Sequence, residues 1–108
     1  MMEPINYGIV LVTAATETEA KELALALVQA QLAACVSLFP IQSVYTWQGQ
    51  VEQAQEWQLL IKTHLAKFPA LEAKIREIHS YEVPEILALP IQQGSAAYLN
   101  WLATQVKL

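Results

Sequence analysis

The chain has 108 residues, 55% of them apolar, and 10 acidic against 6 basic residues give a net charge of −4. That length holds one hydrophobic core, so a single domain over residues 1–108 is expected, and the apolar share exceeds what so small a core hides, so an oligomer is expected too. The acidic balance and the lack of any Lys/Arg cluster exclude nucleic acid as a partner, no stretch approaches the roughly 20 apolar residues that cross a bilayer, and the single cysteine forms no internal disulfide.

The opening Met1-Met2-Glu3-Pro4-Ile5-Asn6 lacks the basic region of a secretory leader, so the cytoplasm is the expected compartment. Ile5 to Thr13 reads as a strand, and the unbroken run Ile9-Val10-Leu11-Val12 predicts that both of its faces are covered. Thr16-Glu17-Thr18-Glu19 is a capping box that starts a helix running to about Gln31. Ala20, Leu23, Ala24, Leu27 and Val28 form its sheet-facing stripe.

From Val36 to Trp47 the pattern becomes two-fold, with Phe39, Ile41, Ser43, Tyr45 and Trp47 on one face, and Pro40 argues for a sheet edge or a bulge. Gln48-Gly49-Gln50 supplies a turn, after which Trp57, Leu59, Ile61 and Thr63 alternate with Glu56, Gln58, Leu60 and Lys62, so the two runs pair as a hairpin. Phe68, Leu71, Ile75 and Ile78 mark a second helix, opened by Pro69 and ending near His79-Ser80, with Glu72 and Arg76 spaced for an ion pair. Ile86 to Ile91 is a last short strand, and Ser95 caps a terminal helix carrying Tyr98, Leu99, Trp101, Leu102 and Val106. The order β-α-β-β-α-β plus a C-terminal helix is an α+β, ferredoxin-like arrangement of two split β-α-β units.

Several side chains carry candidate chemistry, each with a plainer alternative. Cys35 offers a thiolate for a soft cation such as Cu(I), but a lone cysteine without a C-x-x-C partner is more often a small buried residue. His79 stands beside Tyr81, Glu82 and Glu85, a combination suited to a metal or a proton transfer, although imidazole also caps helix carbonyls. Lys62 is a lone base that pairs with Glu56 or a ligand anion, or else guards a sheet edge. The three tryptophans, Trp47, Trp57 and Trp101, read as core and subunit-interface anchors. The sequence has no nucleophile elbow, glycine-rich phosphate loop or zinc-finger spacing, which sets catalysis aside as the least supported class.

Four stretches in order resemble the CutA family of divalent-cation tolerance proteins: Ala33-Ala34-Cys35-Val36, Ser43-Val44-Tyr45-Thr46-Trp47-Gln48-Gly49, Leu59-Leu60-Ile61-Lys62-Thr63, and His79-Ser80-Tyr81-Glu82-Val83-Pro84-Glu85-Ile86. The resemblance runs from about Ile5 to Leu102 and implies a homotrimer of ferredoxin-like protomers similar to the PII signalling proteins. It also implies a response to divalent metal, notably copper, with Cys35 and His79 as the candidate ligands. The alternative it carries is a PII-like binding module, in which Lys62, Tyr81, Glu82 and Glu85, with Trp47 of a neighbouring subunit, line a cleft for a small polar ligand. A third is a scaffold without chemistry of its own. Two positions depart from the family pattern: Ser80 stands where a proline is usual, which loosens the turn, and Ser37 where an asparagine is usual.

Overall fold

Gln48 and Gly49 both adopt positive φ, 52° and 79°. Two successive left-handed residues make the type I′ turn, whose twist matches that of antiparallel strands. They join β2 (Cys35–Trp47) to β3 (Gln50–His64), and the pairing Trp47↔Gln50 runs unbroken to Cys35↔Lys62. The computed structural model describes residues 6–106, so Ile5, taken above as the start of a strand, lies outside them. The remaining elements are β1 (Tyr7–Ala14), α1 (Glu17–Gln29), α2 (Phe68–Ile78), β4 (Ile86–Pro90) and α3 (Ala96–Gln105), with a 3-10 turn at Leu65–Lys67 leading into α2.

The four strands form one open sheet in the order β2-β3-β1-β4, each neighbour antiparallel to the next. β2 is an edge strand, as Pro40 predicts, since a residue without an N–H is tolerated where no further strand must be paired. Thr16 caps α1 by accepting from the Glu19 amide at 3.1 Å, and Glu19 reaches back to the Ala15 amide at 3.3 Å, which is the expected capping box displaced by one residue.

The core lies between one face of the sheet and helices α1 and α2. Val10 and Val12 of β1, Leu59 and Ile61 of β3, Ala20, Leu23 and Leu27 of α1, and Leu71 and Ile75 of α2 are all buried in one cluster. Strand side chains alternate while helical ones recur at three and four, so these residues present a single surface from each element. Thr63, also buried, satisfies its hydroxyl on the Leu32 carbonyl at 2.7 Å.

Three expectations need correction. Val28 is 40% exposed, because the helical stripe rotates away from the sheet by its last turn. The run Ile9-Val10-Leu11-Val12 is covered on one side only: Val10 and Val12 are sealed under the helices, whereas Ile9 and Leu11 are half-buried on the other face. There α3 covers only the end, where Leu99 and Leu102 pack on Tyr7, and Leu87 and Leu89 of β4 remain exposed. On α2 the ion pair present is Lys74–Glu77 at 4.0 Å rather than Glu72 with Arg76. Of the three tryptophans, Trp57 packs against the core, while Trp47 and Trp101 stand exposed on the protomer, where only another subunit can cover them.

The pairing of β1 with β3 ends at Ala14↔Trp57, so the far half of the hairpin projects beyond the body of a molecule that measures 49 × 25 × 22 Å. This arm carries exposed apolar side chains on both faces. Val44 and Val51 are 69% and 72% exposed, and Tyr45 and Trp47 lie on the opposite side.

Candidate functional site

Where the arm leaves the body, a cleft of about 610 Å³ opens between the hairpin and the segment that follows α2. The hairpin register places Ile41 opposite Glu56 and Tyr45 opposite Glu52, so Ile41, Ser43, Tyr45 and Trp47 share the face of Glu56 and Gln58. Ser80, Tyr81, Glu82 and Glu85 form the opposing wall. The described lining residues include three carboxylates and no lysine, arginine or histidine.

The segment is held by His79. Its side chain is fully buried, and its Nε2 lies 2.7 Å from the Thr13 carbonyl, which only accepts, so Nε2 carries the proton. Nδ1 then accepts from the Tyr81 amide at 2.9 Å. The chain is thereby turned so that the Tyr81 hydroxyl donates to Glu56 Oε2 at 2.6 Å. Burial first, and then the hydrogen bond to Glu56 and the charge behind it, push the Tyr81 phenol well above the ordinary tyrosine range, so it stays a donor at every physiological pH.

Ser80 fastens the same segment to α1. Its amide and hydroxyl both donate to Glu19, at 2.8 and 3.0 Å. The serine therefore does more than loosen the turn, since a proline there has neither donor. Burial pulls the Glu19 carboxyl upward, but the Ser80 hydroxyl and amide, the Ala15 amide and nearby His79 outweigh it and hold the group below the usual carboxylate range. A depressed pKa adds stability that is complete above the unfolded carboxylate range and disappears as pH falls through the folded value. Glu19→Gln is accordingly expected to cost about 1–2 kcal/mol at neutral pH, with the urea midpoints of the two proteins converging in acid. A gap that stayed constant down to pH 3 would show that the charge contributes nothing.

The structure brings together Trp47, Tyr81, Glu82 and Glu85 from among the expected cleft residues, with Trp47 lining the cleft of its own chain. Lys62 is the exception. It sits six residues from Glu56 along β3, roughly 20 Å at about 3.4 Å per residue, and its Nζ donates to Ser37 Oγ at 2.7 Å. The expected pairing with Glu56 therefore does not form, and because β3 lies inside the sheet, Lys62 does not guard an edge.

Cys35 and His79 do not meet either. Cys35 pairs with Lys62, level with Ile9 on β1, and its thiol lies against Tyr98 of α3, whose phenol burial and then the thiol push upward. His79 is bound at Thr13, four residues further along β1, roughly 13 Å away. Both imidazole nitrogens are already engaged, and among the described residues no three His, Cys, Asp or Glu side chains are placed to hold a metal ion. The donor set does not fit a resident copper ion.

Glu56 is the residue that sequence reasoning missed as part of the site. It is only 6% exposed, accepts from Tyr81, and has no counter-cation among the described residues. The signal was available in part: a carboxylate stands next to Trp57 where the apolar run of β3 begins, at a register fixed by the two-residue turn.

Comparison with known proteins adds an independent line. The family model described as CutA1 divalent ion tolerance protein matches residues 8–105. The divalent-cation tolerance protein CutA of Thermus thermophilus is 47% identical over 87% of this chain and 92% of its own length. Protein CutA of mouse is 44% identical over 92% of this chain, which spans only 56% of that longer protein. Among solved structures, the periplasmic divalent cation tolerance protein CutA of Archaeoglobus fulgidus superposes with a TM-score of 0.92 at 36% identity, covering 94% of this chain and 99% of that one.

Proposed function

This chain belongs to the CutA1 divalent ion tolerance family, and from that premise we propose that it serves cation tolerance as a homotrimeric binding protein whose ligand enters the cleft between the hairpin and residues 80–85. The observation that carries this reading is the cleft itself: a concave site walled by Tyr45, Trp47 and Tyr81, with polar groups converging on one side. Trimer formation is supported by the projecting arm and by the half-covered sheet face, two apolar surfaces that a lone protomer leaves in water. Sedimentation equilibrium tests the assembly and is expected to return three times the chain mass; a monomer at micromolar concentration would overturn it.

Copper capture by Cys35 with His79 is the weaker reading, because it requires His79 to give up the two hydrogen bonds that shape the cleft. The signature of copper in calorimetry would be binding lost on Cys35→Ser. For location we propose the cytoplasm, on the ground of the single free cysteine. Cell fractionation checks it, and recovery with periplasmic contents, the compartment named for the Archaeoglobus relative, would count against it.

A further inference from the structure

The wall of the cleft is tied down on either side of the turn that joins β1 to α1. His79 binds the Thr13 carbonyl near the end of β1, and Ser80 binds Glu19 in the first turn of α1. Glu19 Oε2 accepts from the Ser80 amide at 2.8 Å, while its Oε1 accepts from the Ser80 hydroxyl at 3.0 Å and from the Ala15 amide at 3.3 Å. The two oxygens of one carboxylate thus grip both donors of one residue, which fixes direction as well as distance. The Glu19 side chain is only 16% exposed, so little water competes for these bonds.

A single hydrogen bond leaves a segment free to pivot about it, and the bond from His79 to Thr13 is one such point. The fork at Ser80 adds two more on a different element, and three points hold the segment rigidly. Tyr81, the next residue, then reaches across to Glu56 at 2.6 Å. Glu56 lies one residue beyond the last pair of β1 with β3, Ala14↔Trp57, so the sheet holds the acceptor of that bond while α1 helps to hold the donor. We propose that Glu19 is a positioning residue for the cleft: through Ser80 it sets where the Tyr81 hydroxyl stands over Glu56, so that α1 governs the shape of the site, an inference that rests on the reading of the cleft as the ligand site. Every bond in this relay is made within one chain, so it holds whatever subunits cover the arm and the sheet face. The coupling is reciprocal, and drawing Tyr81 away from Glu56 loosens Ser80 on Glu19 by the same free energy.

Urea unfolding of a double-mutant cycle on the full chain, at neutral pH and one fixed protein concentration, tests this. Tyr81→Phe deletes the hydroxyl and Glu19→Ala the fork. Two sites without shared partners shift the midpoint additively. Here Tyr81→Phe is expected to shift it in the Glu19→Ala background by roughly half, or less, of its shift in the parent. Ser95→Ala, which removes the cap of α3, is the control, and its shift is expected to add to that of Tyr81→Phe. Should Glu19→Ala fail to fold, Ser80→Ala takes its place, and Ser80→Thr, which keeps the hydroxyl, is expected to return the Tyr81→Phe shift to its size in the parent. Amide hydrogen exchange reads the reverse direction: the Ser80 amide is expected to lose about tenfold in protection in Tyr81→Phe. Additive midpoints, or an unmoved Ser80 amide, would overturn the positioning role and leave the cleft as the ligand site. Cu(II) calorimetry judges the cleft separately: heats indifferent to Glu56→Gln would overturn it as the ligand site, and with it the role of Glu19 there.

Discussion

Leu59→Ala is expected to destabilise the protein by about 2–5 kcal/mol and to lower Tm by roughly 10 °C or more. Leu59 is fully buried, opposite Val12 on one side and Leu38 on the other, in the layer that α1 and α2 seal. Removing three carbons there leaves a cavity that strands paired on both sides cannot close by shifting. The informative comparison is its neighbour Leu60, which points to the half-covered face. On a protomer standing alone Leu60→Ala would cost about 1 kcal/mol, because part of the side chain already touches water. With that face packed against other subunits, its cost is expected to approach that of Leu59→Ala. Thermal melts of both variants at one fixed protein concentration provide the measurement, since the Tm of an assembly depends on concentration. A Leu60→Ala protein destabilised by no more than about 1 kcal/mol would sink the idea that the face is covered.

The second large effect is expected at His79. His79→Ala removes the donor to the Thr13 carbonyl and the acceptor for the Tyr81 amide, and it empties a fully buried site. Each buried group left without a partner costs about 1–3 kcal/mol, so a total near 2–4 kcal/mol is expected. The loss extends to the cleft, because the Tyr81 hydroxyl reaches Glu56 only while the His79–Tyr81 turn holds. His79→Asn offers a partial rescue, its amide being both donor and acceptor on a shorter stem. Urea unfolding gives the stability. Titration of the tyrosines at alkaline pH reports the turn: the Tyr81 phenol, held high in the folded protein, is expected to fall toward the ordinary range in His79→Ala. An unmoved phenol would separate His79 from the shaping of the cleft.

Much of the architecture was legible because its determinants are local. The capping box at Thr16, the Ser95 cap of α3, whose hydroxyl accepts from the Tyr98 amide at 3.2 Å, and the Gln48-Gly49 turn are each decided within four residues. Strand alternation in β3 separated Leu59 and Ile61 from Leu60 and Lys62 correctly. The failures arose where a side chain's fate depends on distant chain. Hydropathy shows Ile9 and Leu11 to be as apolar as Val10 and Val12, but cannot tell cover by a helix of the same chain from cover by another molecule. Lys62 and Glu56 share a face of one strand, which suggested a pair, whereas the rise per residue separates them and other elements supply their partners, Ser37 and Tyr81. The Ser80 link to Glu19 spans 61 positions of sequence, and no local rule proposes it.

The placement of β1 has a consequence for the order in which the chain is made. Of the four strands, the first to leave the ribosome occupies the interior of the finished sheet, between β3 and β4. Neither partner exists when it emerges: Trp57, which pairs with Ala14, is synthesised about 40 residues later, a delay of roughly 2–8 s at about 5–20 residues per second. Until Pro90 has followed, Val10 and Val12 have no complete sheet to enter, and their apolar side chains must be sheltered by α1 alone or by a chaperone.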